Sequence, residues 1–128
     1  MALNNEKSMD FNGMELECAQ LNIGPSTTVT QLTDRSTGVI INSSSGQITT
    51  DATSLAAGAE ATFIVTNDKV SAKSVVVANL ASGATADTSV VVVSAVAAGS
   101  FSIRLTNLNA ATADTGAGVI NFVVINAV

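Results

Sequence analysis

Val90-Val91-Val92-Val93 and Val119-Ile120-Asn121-Phe122-Val123-Val124-Ile125 decide how this chain folds, and Val75-Val76-Val77 repeats the theme. Val-rich and Thr-rich runs favour strand over helix, because β-branched side chains fit a pleated, half-buried surface. A lone antiparallel sheet turns one face to the core and one to water, so its strands alternate apolar with polar residues. These runs are apolar on both faces. The simplest physical reading is a small β-protein whose second faces are covered by other subunits or by a large scaffold, a building piece rather than a catalyst.

Outward from these runs, from Val29 onward, the chain reads as an all-β domain punctuated by Gly and Asn turns. Strands are expected at Val29–Thr33, Val39–Asn42, Gln47–Thr50, Ala61–Asn67, Ser74–Leu80, Ser89–Val96, Phe101–Asn107 and Val119–Asn126. Asn42-Ser43-Ser44-Ser45-Gly46 suits a hairpin loop, and Ala97-Ala98-Gly99-Ser100 a tight return. The expected fold is therefore an antiparallel β-sandwich, jelly-roll or Ig-like, over residues 26–128. An internal echo runs through it. Ala56-Ala57-Gly58, a strand ending Val65-Thr66-Asn67 and then Ala84-Thr85-Ala86-Asp87-Thr88 recur as Ala97-Ala98-Gly99, Leu105-Thr106-Asn107 and Ala111-Thr112-Ala113-Asp114-Thr115. The echo marks either equivalent positions in the two sheets or repeated use of one turn chemistry.

Residues 1–25 differ from the rest and form an N-terminal arm. They hold four of the ten acidic residues (Glu6, Asp10, Glu15, Glu17), all three Met and the single Cys, and they end at the breaker pair Gly24-Pro25. Met14, Leu16 and Cys18 alternate with Glu15 and Glu17, which reads as a short strand with one apolar and one acidic side; a helix is the weaker alternative. Extended, such an arm could reach ~80 Å.

Composition bounds the rest. A chain of 128 residues has room for one domain and an extended segment. Charged residues make up 12% against roughly 25% in an average soluble domain, too few for a comfortable free monomer. The net charge of −5 and five scattered basic residues argue against nucleic-acid binding, which needs clustered Lys and Arg. No apolar run approaches the ~20 residues of a membrane-spanning helix, and Met1–Lys7 lacks the apolar core of a signal peptide, so synthesis is expected in a reducing cytoplasm.

Catalytic constellations are nearly missing. There is no His, Trp or Tyr, which removes the commonest general base, most zinc sites and the usual sugar-stacking rings. Asp34 beside Arg35 reads as a solvated turn, since adjacent strand residues point to opposite faces. Asp87 and Asp114 each offer one carboxylate, short of a calcium site, and read as turn formers. Gly116-Ala117-Gly118 precedes a strand rather than a helix and lacks the context of a phosphate loop. Cys18 has no His to activate it and reads as packing. Phe11, Phe63, Phe101 and Phe122 read as core or interface anchors. No catalytic residue, metal or cofactor is expected.

Ser36-Thr37-Gly38-Val39, Ser45-Gly46-Gln47-Ile48-Thr49, Phe63-Ile64-Val65-Thr66-Asn67, Ser94-Ala95-Val96-Ala97-Ala98-Gly99-Ser100-Phe101 and Asn121-Phe122-Val123-Val124-Ile125 together resemble a family of small virion structural proteins of tailed bacteriophages. Its members are described as head decoration, cement or head-fibre proteins. The resemblance covers roughly Thr28 to Val128 and transfers a role but no reactive residues. It implies a β-rich protein, commonly a homotrimer, made in the bacterial host cytoplasm. On the virion it would sit on the outer capsid surface and bridge neighbouring major capsid protein subunits, binding neither nucleic acid nor membrane.

On this reading the residues that meet another subunit or the capsid are Met14, Leu16 and Cys18 on the arm, Val90, Val91, Val92 and Val93, and Phe122, Val123, Val124 and Ile125. The alternative function is a head-fibre or tail-fibre adhesion module that holds a host surface glycan; an enzyme is a distant third. Deleting residues 1 to 23 is expected to leave a folded β-domain that decorates expanded capsids weakly or not at all. Capsid binding by the truncated protein as tight as that of the full chain would remove the arm as the anchor.

Overall fold

The computed structural model describes residues 22–127, so the arm residues Met14, Leu16 and Cys18 lie outside the described part. Eight strands follow: β1 (Ser26–Thr30), β2 (Val39–Ile40), β3 (Ser45–Thr49), β4 (Glu60–Thr66), β5 (Val75–Ser82), β6 (Ser89–Ala97), β7 (Ser100–Asn107) and β8 (Val119–Ile125). Each answers to one of the eight expected strands, the largest displacement being β1, which starts at Ser26 rather than Val29. In β7 the period of two is strict. Phe101, Ile103 and Leu105 are buried while Ser100, Ser102, Arg104 and Thr106 face outward, as a strand covered on one side requires.

The strands make two four-stranded sheets, ordered β1-β3-β8-β5 and β2-β4-β7-β6. All interior pairs are antiparallel, but β1 pairs with β3 and β2 with β4 in parallel, so the sandwich is mixed rather than purely antiparallel. The reason is how the chain travels. Every connection except β6 to β7 passes from one sheet to the other. Strands β1, β3 and β5 therefore run one way in the first sheet, with β8 reversed between the last two; β2, β4 and β6 do the same in the second around β7. The expected hairpin at Asn42–Gly46 is accordingly a crossing, since β2 and β3 belong to different sheets. The tight return at Ala97–Ser100 is a true hairpin, with Ala97 opposite Ser100 and Gly99 in the left-handed region at φ 80°. No two consecutive strands are neighbours in the first sheet, which departs from the immunoglobulin arrangement.

The core fills the space between the sheets. Ile48, Ile120, Phe122 and Val124 come from the first sheet and meet Phe63, Val65, Phe101 and Ile103 from the second. Phe101 and Phe122 touch across the gap with ring centroids 5.4 Å apart and planes tilted by 51°. Such tilted pairs contribute about 0.5–1.5 kcal/mol beyond the area they bury. Phe122 has Gly46 opposite it on β3 and Ala78 opposite it on β5. The small neighbours make room for the ring. A Cβ built on Gly46 would stand 2.9 Å from the Phe122 ring, 2.9 Å from Ile41 Cδ1 and 2.7 Å from the Thr27 carbonyl oxygen. The Thr27 carbonyl and the Phe122 ring cannot retreat without moving a strand or a packed ring, and Ile41 is itself 4% exposed.

Gly46→Ala is therefore expected to destabilise the fold by about 1–3 kcal/mol through overpacking. At roughly 4–8 °C per kcal/mol for a domain of this size, thermal unfolding followed by circular dichroism would show it. A variant melting within a degree of the parent would mean that Phe122 does not set the spacing of β3 and β8.

Candidate functional site

Two features stand out from the framework: a buried polar knot at one end and an apolar surface along one edge. The knot overturns the reading of Asp34-Arg35 as a wholly solvated turn. Arg35 is 4% exposed and Asp114 is fully enclosed, their charged ends 3.5 Å apart across 79 residues of sequence. The turn chemistry belongs to Asp34, whose Oδ1 accepts from Ser36 N at 2.8 Å and Ser36 Oγ at 2.7 Å, holding its carboxyl below the ordinary range. Arg35, one residue on, points inward. Its Nη2 donates to the carbonyls of Asp114 at 3.1 Å and Gly116 at 2.7 Å, and its Nε donates to the Thr53 carbonyl. Its Nη1 has no hydrogen-bond partner among the described residues and is compensated by the Asp114 charge.

Asp114 is hydrogen-bonded through both oxygens. Oδ1 accepts from Thr85 N at 2.9 Å and Gly116 N at 3.0 Å, while Oδ2 accepts from Ser89 Oγ at 2.6 Å. Burial pushes its carboxyl pKa up, but the bonds from Ser89, Thr85 and Gly116 and the Arg35 charge outweigh that, and the net shift is downward. Oxygens committed in this way cannot also bind a cation. Ser89 donates its proton to a carboxylate held below the ordinary range, a weak base for activating a hydroxyl. The knot is a structural tie.

The sequence echo resolves in the same terms. Asn67 and Asn107 are both fully buried at the ends of β4 and β7, which are neighbours in one sheet, not counterparts in two. Asn67 Nδ2 donates to the Ser43 carbonyl at 2.7 Å; Asn107 Nδ2 donates to those of Leu55 at 3.0 Å and Thr112 at 2.9 Å. Each side-chain oxygen then accepts from the amide two residues on, Lys69 N and Asn109 N. Repeated turn chemistry accounts for the echo. The two Ala-Thr-Ala-Asp-Thr copies have diverged, Asp87 lying exposed at φ 57° and Asp114 inside.

The apolar surface follows from the strand order. Both sheets end on the same side, β5 and β6 lying against each other there. In β3, β4, β7 and β8 the inward apolar side chains are almost wholly buried, but in β5 and β6 the inward Val76, Ala78, Leu80, Val91, Val93 and Val96 are only half-buried. Outward, Val75, Val77, Val90 and Val92 are between 41% and 56% exposed. No charged residue occurs in either strand. An open cleft of about 550 Å³ continues this edge at the β5–β6 loop, with Leu80, Ala81, Val90 and Leu108 among its walls.

Sequence-expected contact residues divide by face. Val90 and Val92 are on the surface, while Val91 and Val93 line the half-open inner edge. Phe122 and Val124 are each 4% exposed and belong to the chain's own core, so they are not available to a second subunit. The alternating pleat turns them inward and leaves Val123 half-buried and Ile125 exposed on the outer face. There they join Val75 and Val77, which face them in register as Val75↔Ile125 and Val77↔Val123. This patch was missed in the sequence because pairing of β5 with β8 has no local signal.

No protein-family model, curated protein or solved structure matches the chain.

Asp114 gives a pH-dependent prediction. Its folded pKa lies below the unfolded value of about 3.9, so its contribution is complete above that value and is lost as pH falls through the lower folded one. Asp114→Asn leaves the Arg35 charge buried without its partner, and removal of one member of such a pair costs about 3–5 kcal/mol. Urea unfolding between neutral pH and pH 2 should show the parent converging toward the variant below about pH 4. A gap that stays constant over the whole range would exclude the carboxylate charge as the cause.

Proposed function

We propose that this chain is a non-catalytic structural protein, a decoration or cement subunit that lies on the outer surface of a bacteriophage capsid and bridges neighbouring major capsid protein subunits. The observation that carries this reading is the first sheet. Strands β1, β3, β5 and β8 contain no charged residue, and their outer face combines the Val75, Ile125, Val77 and Val123 patch with Gln47, Asn79 and Asn121 in one polar row. Charge depletion with an apolar centre and neutral polar surroundings is the composition of an interface core rather than of a free surface. The shell supplies the second cover that the two-sided strands call for.

A cement protein has no use for nucleophiles, and the polar groups of the knot hold loops, with Arg35 Nη1 compensated by the Asp114 charge. Burying a Val or Ile side chain contributes roughly 1.5–3 kcal/mol, so the four patch residues would offset much of the cost of immobilising the subunit. The resemblance to virion proteins supports the same role.

The experiment is co-sedimentation of the purified protein with expanded capsids lacking their decoration, followed by a reconstruction of the loaded particles. Density on the outer surface, bridging neighbouring capsid subunits, is the expected result. Val77→Glu with Val123→Glu should weaken binding at least ~100-fold, since each places an unpaired charge in the contact. Saturable binding to a glycan array with no affinity for capsids would reject the cement role in favour of adhesion.

A further inference from the structure

We infer that the open edge formed by β5 and β6 is a self-association surface whose occupant is the same edge of a second copy, related by a two-fold axis along the sheet normal. In that arrangement β5 meets β5 and β6 meets β6, both antiparallel, and each four-stranded sheet continues into its counterpart.

Four observations lead here. Edge strands carry unpaired N–H and C=O groups that template further pairing, and proteins that stay apart usually guard them with Lys, Pro or charged inward residues. Neither β5 nor β6 has any of these. Their bulges, between Leu80 and Ser82 and between Val93 and Ala95, leave regular stretches at Val75–Leu80 and Ser89–Val93 open to pairing. Second, the inward Val76, Ala78, Leu80, Val91, Val93 and Val96 remain half-exposed, six residues against Val29 alone on the β1 edge, so the core is least finished on this side.

Third, lengths select the partner. The opposite edge consists of β1 with five residues and β2 with two, too short to cover strands of eight and nine. A ring of copies joined head to tail would have to use that mismatched pair. A two-fold contact matches eight with eight and nine with nine, and it presents one patch to itself. Fourth, the area suffices. Strands of this length, at ~3.3 Å per residue and with sheets ~10 Å apart plus side chains, offer roughly 500–600 Å² per copy. Two copies bury about 1,000–1,200 Å², the lower limit for a specific interface and fitting for a reversible dimer.

The inference concerns edge pairing and not the outer face of the first sheet, so the two readings can fail separately. Val92 lies on β6, in the other sheet, and is 44% exposed, so Val92→Lys tests the edge without touching either the core or the proposed shell contact. Sedimentation equilibrium of the full chain should give a mass near twice 12.8 kDa that falls on dilution. Val92→Lys, and separately Val90→Lys on the same strand, should raise the dissociation constant at least ~10-fold by setting like charges against each other, with unchanged circular dichroism. Backbone amides of β5 and β6 should exchange more slowly as protein concentration rises. A monomer at ~100 μM, a trimer, or a dimer indifferent to both lysines would overturn the proposal. So would loss of association on deleting residues 1–21 with the edge intact, which would make the arm the occupant.

Discussion

The ion pair between Arg35 and Asp114 is the constraint on which the rest of the structure hangs. Arg35 lies between β1 and β2, Thr53 between β3 and β4, Thr85 between β5 and β6, and Asp114 between β7 and β8; the guanidinium and carboxylate reach all four connections. A crossing loop has no hairpin partner to satisfy its backbone, and buried N–H and C=O groups must be paired somewhere. Here two charged side chains supply those partners. Desolvation offsets most of their mutual attraction, so the pair adds little net stability compared with an apolar filling. Its effect is on arrangement: any other seating of the four loops leaves a charge in the interior without compensation.

Strand positions were legible because the local signals agree. Val, Thr and Ile runs bounded by Gly and Asn point to strands whatever lies around them, and most of the described strands arise from such runs, Ser45–Thr49 with its interior Gly46 being an exception. Pairing was not legible. Asn42–Gly46 has the composition of a hairpin loop, and only the competition among distant partners sends β2 and β3 into different sheets. Arg35 shows the same limit more sharply, since Asp-Arg-Ser-Thr-Gly describes a surface turn and the residue that draws Arg35 inside is 79 positions away.

The two-sided apolar character of the valine runs was real, but it has two origins. In β8, a central strand, the inner face is core and the outer face is a patch, which is why Phe122 and Val124 separate from Val123 and Ile125. In β5 and β6 it reflects position at an edge, where even inward side chains stay partly wet. One sequence feature thus maps onto a sheet face and a sheet edge, two surfaces able to engage different neighbours. Charge depletion makes both possible, and Asp114, the carboxylate most deeply enclosed among the described residues, is committed to holding loops.

The position of β8 has a consequence for how the molecule comes into being. It is the last of the eight strands in sequence, yet it lies between β3 and β5, and until it arrives those two strands have no hydrogen-bonded partner joining them. A nascent chain that has emerged only as far as β7 can close the second sheet but lacks Ile120, Phe122 and Val124, three of the four buried residues that the first sheet's strands give to the core. Long-range closure of this kind makes folding slow and postpones it until translation has passed β8. Synthesis and folding are thereby separated in time, and during the interval the valine-rich strands stand without the core that β8 completes.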